Sequence, residues 1–260
     1  MRSLTLQRTL FAALVTLVLF AGCARAERVE PLAALAGKLE IHVIDVGQGD
    51  AILIKCPDGQ HQMLIDSGEL NQRYPQSNTQ FKAYLEAEQP KTDPIEVVIA
   101  THPHSDHIGG MKWVIDTYTV GLYVDSGMQN DTATYKNLTT SLEARHVTWK
   151  HAKDVTVQDV DFCPRTDVSV RVLYPAGIED QEDANDRSVV VRVDYKSRSF
   201  LFVGDAEGVL EELLLTDPKT SVHLDCDFLK VGHHASNTSS TDAFLAAVTP
   251  AVAAISCGAK

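Results

Sequence analysis

The ten residues "THPHSDHIGG", at positions 101–110, constrain this chain more than any other feature of its sequence. They place His102, His104, Asp106 and His107 within six positions, directly after the apolar run "IEVVIA". That run predicts a short buried strand. Two imidazoles spaced two residues apart point the same way in extended chain. Nitrogen and oxygen donors of this kind suit zinc, manganese or iron. The pattern predicts two adjacent divalent cations, zinc or manganese, whereas a polar loop with internally paired histidines is the alternative.

Two later strand ends carry matching residues. The stretch "FLFVGDAEG" puts Asp205 after an apolar run, where its carboxylate could bridge two metals or cap the following helix. The stretch "FLKVGHHASNTSS" puts His233 and His234 after another run. Adjacent side chains diverge, so we expect one of them, with His233 as the candidate ligand, to bind metal and the other to donate a proton.

Composition limits the choice of fold and partner. With 260 residues, 44% hydrophobic and 22% charged, the chain suits one sizeable α/β domain or two small ones. Its net charge is −12, without a Lys/Arg cluster that would follow a nucleic-acid backbone. A strong basic nucleic-acid surface is therefore not expected. A nuclease remains possible, because bound metal supplies local positive charge.

The N-terminus is typical of an export signal. Arg2 and Arg8 flank the apolar stretch "TLFAALVTLVLFA", which is shorter than a membrane span. We predict a signal peptide over residues 1–26, followed by one folded domain over residues 27–260. The stretch "FAGC" favours a lipoprotein with lipidated Cys23, and "ARA" fits ordinary cleavage before Glu27; an uncleaved anchor is the third alternative. The first two place the mature protein outside the cytoplasm, with possible membrane attachment through Cys23.

Four further cysteines are scattered along the chain without a C-x-x-C pair, namely Cys56, Cys163, Cys226 and Cys257. In an exported protein they permit two disulfides in three pairings, and buried thiols are the alternative. The rest of the chain alternates strand meanders with strand–helix units, which predicts sheets covered by helices, an α/β or αββα layered domain. Each unusual polar cluster follows a predicted strand, where ligands gather in such folds.

Several of these motifs together resemble the metallo-β-lactamase superfamily, and its ComEC-type competence branch in particular. The resemblance rests on "HVIDVGQGDAILI", "LIDSG", "THPHSDHIGG", "NDRSVVVRVDY", "VGDAE" and "LKVGHHASNTSS", in this order between residues 39 and 257. It implies an αββα sandwich with a metal site at one sheet edge. His102 and His104 would serve one metal, Asp106 and His107 the second, with Asp205 shared.

The resemblance also implies supporting residues. Asp66 would be the aspartate of the family's first motif, which supports the metal loop more often than it binds metal. The remaining matches would line the site, with a turn or strand-start role as the alternative, and they are Asp45, Gln48, Asp50, Asn185, Ser188 and Ser236.

This chain departs from the family's pattern in three respects. Ala235 and Asn237 replace a glycine and a lysine of the branch, and losing the lysine removes a cation that could contact phosphate. Between residues 110 and 200, neither His146, His151 nor Asp125 clearly completes the first metal's ligands. The sequence stops at "ISCGAK" without the branch's Asn-x-Tyr-Gly-His-Pro segment. We therefore expect a C-terminally truncated sandwich that lacks its last strands.

These residues predict an exported metal-dependent hydrolase, foremost a phosphodiesterase or nuclease of DNA processing or competence. Asp106 or Asp205 would orient the attacking hydroxide, and His233 or His234 would protonate the leaving group. One alternative is a hydrolase of small cell-envelope phosphoesters or lactones, which the acidic composition favours. Another is a non-catalytic binding or scaffold protein.

Overall fold

The computed structural model describes residues 37–69 and 75–258, so the predicted signal peptide and Cys23 lie outside the described residues. Its first sheet has six strands in the order of the chain. The first three pair antiparallel as the predicted meander, and the last three join them in parallel. These strands are β1 (Glu40–Val43), β2 (Ile52–Lys55), β3 (Gln62–Ile65), β4 (Ile95–Ile99), β5 (Val120–Asp125) and β6 (Thr148–His151).

The second sheet has five strands in the order β11-β10-β9-β8-β7. A hairpin forms its centre, and two parallel pairings extend it on one side. The strands are β7 (Val168–Leu173), β8 (Val190–Tyr195), β9 (Arg198–Phe202), β10 (Phe228–Lys230) and β11 (Val252–Ala254).

Helices cover the outer face of each sheet. Four lie on the first sheet, namely α1 (Pro75–Glu88), α2 (Ser105–Ile108), α3 (Met111–Thr117) and α4 (Ala133–Ala144). Two lie on the second, namely α5 (Gly208–Thr216) and α6 (Asp242–Val248). Successive strand side chains alternate between layers, since Ile54 packs between the sheets and Leu53 packs under the helices. The predicted αββα sandwich is therefore confirmed.

One predicted helix differs in the structure. The sequence predicts a single helix over residues 107–118, but α2 and α3 are separate, with Gly109 and Gly110 between them. Gly110 lies against the loop after β3, where an added Cβ would come within 2.7 Å of the Ser67 carbonyl oxygen. The break brings α2, which carries Asp106 and His107, close to the loop after β3 that carries Asp66.

The cysteines divide into one disulfide and two thiols. Cys56, at the end of β2, bonds to Cys163 in the connection that leads to β7. Both are buried in the core between the sheets. Cys226 is a buried thiol and Cys257 an exposed one. One of the two permitted disulfides is thus present. The second does not form, because Cys226 and Cys257 remain thiols. Among the described residues, no helix has the length and apolarity to cross a membrane.

Candidate metal centre

The polar loops that follow four strands meet at one edge of the sandwich. Asp66 follows β3, the histidine-rich loop follows β4, Asp205 follows β9, and His234 follows β10. β3 and β4 are parallel, as are β9 and β10, so the carboxyl ends within each pair lie side by side. The predicted site residues lie beyond these ends, since the strands themselves pack mainly apolar side chains into the core.

Asp205 occupies the centre of this edge. Its Oδ2 atom lies 3.2 Å from His107 Nε2, 3.3 Å from His234 Nε2 and 3.8 Å from His102 Nε2. The carboxylate is buried, 2% exposed, so these imidazoles are its surroundings rather than water. One oxygen atom thus faces three nitrogen donors that the sequence separates by up to 132 positions.

The remaining predicted ligands form two groups near Asp205. His104 Nδ1 is 3.0 Å from His102 Nε2, so these two imidazoles form one pair, as the alternation predicts. Asp106 Oδ2 lies 3.3 Å from His234 Nε2 and 4.0 Å from His107 Nε2. The donor atoms of Asp106, His107, Asp205 and His234 all fall within 4.8 Å of one another.

Neighbouring groups hold the predicted ligands in place. Asp66 Oδ2 accepts a hydrogen bond from His107 Nδ1 at 2.8 Å, and Thr101 bonds both carboxylate oxygens of Asp66 through its backbone N–H and its hydroxyl. His234 Nδ1 donates to the Ser256 carbonyl at 2.9 Å. Both bonds leave Nε2 of the imidazole directed at Asp205, as partners of metal-binding histidines do.

The donors at the centre fit a metal ion. His107 Nε2, His234 Nε2 and Asp205 Oδ1 are buried and, among the described residues, make no hydrogen bond. Buried polar atoms that converge without partners are rare in folded proteins unless a ligand satisfies them. Imidazole nitrogen and carboxylate oxygen are donors that zinc and manganese accept. The residues therefore fit divalent cations at this centre.

The protonation of the metal-free centre reflects its crowding. Burial alone would disfavour charge, yet the carboxylates of Asp205 and Asp66 raise the pKa of His107 well above its ordinary value. Despite burial, the carboxylates of Asp106 and Asp205 raise the pKa of His234 to about 9. Burial and the neighbouring His107 lower the pKa of His102. Burial alone would raise the pKa of Asp205, yet the imidazoles of His107, His234 and His102 hold it far below its usual range.

Comparison with known proteins places this chain in a family. A model of the metallo-β-lactamase superfamily matches residues 44–259. The chain belongs to that superfamily. It is 26% identical over 239 residues to ComE operon protein 3 of Bacillus subtilis, covering 86% of this chain and 29% of that protein. It is 28% identical over 219 residues to Recombination protein 2 of Haemophilus influenzae, covering 84% of this chain and 24% of that protein.

These similarities confirm the predicted resemblance to the ComEC-type competence branch. This metallo-β-lactamase domain spans less than a third of the length of each of these relatives. A solved structure, the metallo-β-lactamase fold protein YhfI from Bacillus subtilis, aligns with a TM-score of 0.41 at 13% identity, over 73% of this chain and 68% of YhfI.

His233 lies apart from the metal centre, although we expected it to be the ligand of the histidine pair. Its Nδ1 is 2.7 Å from Glu207 Oε1 and 3.1 Å from Thr238 Oγ1. Asn185 Nδ2 donates to the same Glu207 oxygen at 3.1 Å. Ser236 Oγ lies 3.0 Å from the Thr238 hydroxyl, beside this network. His234 takes the position at the centre, because the two backbones turn through left-handed conformations, with φ of 41° and 53°.

The other predicted lining residues divide between the centre and its support. The Ser188 hydroxyl lies 3.5 Å from His102 Nδ1 and accepts the Asp205 N–H at 3.1 Å, so it contacts two of the predicted ligands. Asp45 is exposed and accepts the Gly47 N–H, which is the turn-forming role. Gln48 Oε1 accepts the Gly258 N–H at 3.1 Å. Asp50 is buried behind the centre.

The structure adds residues that sequence reasoning missed. Lys230 in β10 is fully buried and forms an ion pair with Asp50 at 2.8 Å. A lysine between Leu229 and Val231 in an otherwise apolar strand was the signal for it. Glu207, the partner of His233, had no sequence signal beyond its place two residues after Asp205.

Asp125 and His151 are paired with each other rather than with the metal loop. His151 Nδ1 lies 2.7 Å from Asp125 Oδ1, and Trp149 Nε1 donates to Asp125 Oδ2 at 3.0 Å. Asp125 and His151 thus form a pair of their own, and Asp125 lines a small cavity together with His102.

An open cleft of about 440 Å³ adjoins the metal centre. Its polar wall includes His104 and Asp106 from the metal loop and Asn130 and Thr132 from the loop before α4. No lysine or arginine of the described residues lines it. The cleft therefore gives access to the centre through a neutral to acidic wall.

Proposed function

We propose that this domain is an exported, metal-dependent phosphodiesterase that cleaves nucleic acid in DNA processing or competence. The observation that carries the proposal is the convergence of Asp205 with three imidazoles at a buried, partly unsatisfied centre. The names of the relatives, a competence operon protein and a recombination protein, support the choice of nucleic acid as substrate.

The residues divide the work as follows. His102 and His104 would hold one divalent ion, and Asp106, His107 and His234 the other, with Asp205 between them. Such ions, when bound, lower the pKa of a coordinated water and stabilise charge on phosphoryl oxygens. His233 is partly exposed and held by Glu207 outside the centre, so it is placed to give a proton to a leaving alkoxide.

Export is supported by the covalent structure. The disulfide between Cys56 and Cys163 is buried in the core, and such bonds persist in oxidising compartments. With the predicted signal peptide, the disulfide favours a periplasmic, envelope-bound or secreted protein. Finding the protein in the cytoplasmic fraction with both thiols free would contradict this part of the proposal.

Cleavage assays test the activity. The protein, loaded with Mn²⁺ or Zn²⁺, should cleave single- or double-stranded DNA, and also bis(p-nitrophenyl) phosphate. The variant Asp205→Asn should lose metal and most of both activities, whereas Asp45→Asn, which changes an exposed turn carboxylate, should retain them. Hydrolysis of the small diester without cleavage of any DNA would reject the nucleic-acid substrate.

A second candidate is supported by the cleft beside the centre. Its wall lacks Lys and Arg among the described residues, and the chain carries a net charge of −12. These features favour a small or cationic substrate, such as a cell-envelope phosphoester or a lactone. Turnover of phosphorylcholine esters or lactones, with DNA left intact, would favour this function. Less than one tightly held transition metal per chain would instead favour a non-catalytic scaffold.

A further inference from the structure

A buried ion pair lies behind the metal centre. The side chains of Lys230 and Asp50 are 0% and 1% exposed, and 2.8 Å separates Nζ from Oδ1. Lys230 Nζ also donates to the Val231 carbonyl at 2.9 Å. The pair joins the second sheet, through β10, to the turn between β1 and β2.

Asp50 contacts the loops that carry the ligands. Its backbone N–H donates to the Asp106 carbonyl at 3.2 Å, and its carbonyl accepts the Gly68 N–H at 2.8 Å. Its carboxylate lies 3.8 Å from His234 Nδ1, and its donor atom is grouped with those of Asp66 and His107 within 4.8 Å. Asp50 therefore reaches the back of the metal centre without taking part in the cluster around Asp205.

Stability alone does not explain the pair. Burying two charges costs free energy that their attraction often fails to offset, and apolar replacements are frequently neutral or stabilising. The neighbours of Lys230 in β10 are apolar, so an apolar residue would suit the core there. Unlike an apolar residue, Lys230 places a cation beside the Asp50 carboxylate, which itself lies close to Asp66 and His234.

We propose that Lys230 and Asp50 are a positioning pair that sets the charge of the metal centre. Lys230 neutralises Asp50 and holds its carboxylate away from the metals, while Asp50 holds the Asp106 loop through the backbone. The pair thereby limits the centre to two cations and keeps their ligands in position. This inference rests on the metal binding of the proposed function and is independent of the substrate.

The two single substitutions should change metal affinity in opposite directions. Lys230→Met leaves an unpaired carboxylate beside the centre, so we expect tighter binding of Mn²⁺ or a third equivalent of metal. Asp50→Asn leaves an unpaired ammonium there, so we expect binding weakened about tenfold or more. Isothermal titration calorimetry of the full chain with Mn²⁺ alone measures both changes, and a melting curve of each metal-free variant reports its folding.

Two further variants separate charge from structure. Lys230→Met/Asp50→Leu removes both charges in an apolar setting and should fold, with Mn²⁺ affinity within about threefold of the parent. Lys55→Met breaks the Lys55–Glu88 pair, 3.1 Å apart at the far end of β2, and should leave Mn²⁺ affinity unchanged.

The directions in which the variants change Mn²⁺ affinity decide whether the proposal holds. Opposite changes in the single variants, restored in the double variant, support the positioning pair. If both single variants lose Mn²⁺ affinity, or if neither changes it, while the parent protein still binds metal, the positioning pair is refuted. Metal binding by the parent protein, measured in the same titration, tests the proposed function separately.

Discussion

Consecutive histidines take different roles in this protein because of their neighbours. His234 faces two carboxylates at the centre, while His233 faces Glu207 outside it. The sequence indicates that the two side chains diverge, but not which one turns inward. That choice depends on the left-handed backbone at both residues, which a local pattern does not encode.

Alanine substitution should separate these two histidines. His234→Ala removes a ligand, so we expect a loss of metal affinity beyond the roughly 10–100-fold that removal of a supporting group costs. His233→Ala should retain its metal and lower turnover of the diester about a hundredfold, as loss of a general acid does. Metal analysis after dialysis and steady-state kinetics measure the two effects. Loss of metal from His233→Ala, with His234→Ala fully loaded, would reverse the assignment.

The turn between β1 and β2 acts on the metal loop through close backbone contact. Gly49 has a φ of 114°, and an added Cβ would lie 2.0 Å from the Asp106 carbonyl oxygen. Glycine at this position is therefore required by both conformation and space. The contact brings the turn between β1 and β2 against the loop that supplies Asp106 and His107.

Gly49→Ala should displace the Asp106 loop as well as strain the turn. We expect it to lower the free energy of unfolding by about 3 kcal/mol or more and to weaken metal binding. Gly59→Ala is the matched control, because Gly59 also has a positive φ, 71°, but an added Cβ there meets nothing within 4 Å. It should cost about 1–2 kcal/mol and leave metal affinity unchanged. Urea unfolding and Mn²⁺ titration distinguish the two; equal metal affinities would refute the coupling.

The sequence predicted most elements and the metal loop because both depend on local pattern. Apolar runs bounded by turn residues predict strands such as β4 and β9, and the spacing of His102 and His104 predicts their pairing. Contacts between distant segments were not predictable in the same way. The Lys230–Asp50 pair and the choice of Cys163 as the partner of Cys56 depend on how the two sheets pack.

At the scale of the molecule, the disulfide links the first sheet to the connection that enters the second. It closes a loop with a sequence separation of 107, so it restricts the unfolded chain strongly. We expect reduction, or Cys56→Ser/Cys163→Ser, to lower the free energy of unfolding by about 2–5 kcal/mol. Urea unfolding with and without reductant measures this. The double variant should not respond to reductant; a response as large as that of the parent would point to another bond.

Metal binding and protonation should compete at this centre, because the imidazoles proposed to bind metal are those whose protonated form the neighbouring carboxylates stabilise. Without metal, the folded pKa of His234 is about 9, against an ordinary value of 6.5. Its contribution to stability is thus complete below pH 6.5 and lost as the pH rises to 9, by up to about 3 kcal/mol. His107, whose pKa is also raised, adds to the same trend.

The metal-loaded protein should not show this loss, since deprotonated imidazoles are the ligands and metal binding releases protons below pH 9. We therefore expect the stabilisation by Mn²⁺ or Zn²⁺ to grow between pH 6 and pH 9, while the chelator-treated protein loses stability over the same range. Urea unfolding at several pH values, with metal and with chelator, tests this expectation. The His234→Ala variant should flatten the metal-free curve. Parallel curves with and without metal would mean that the ions bind somewhere other than among these histidines.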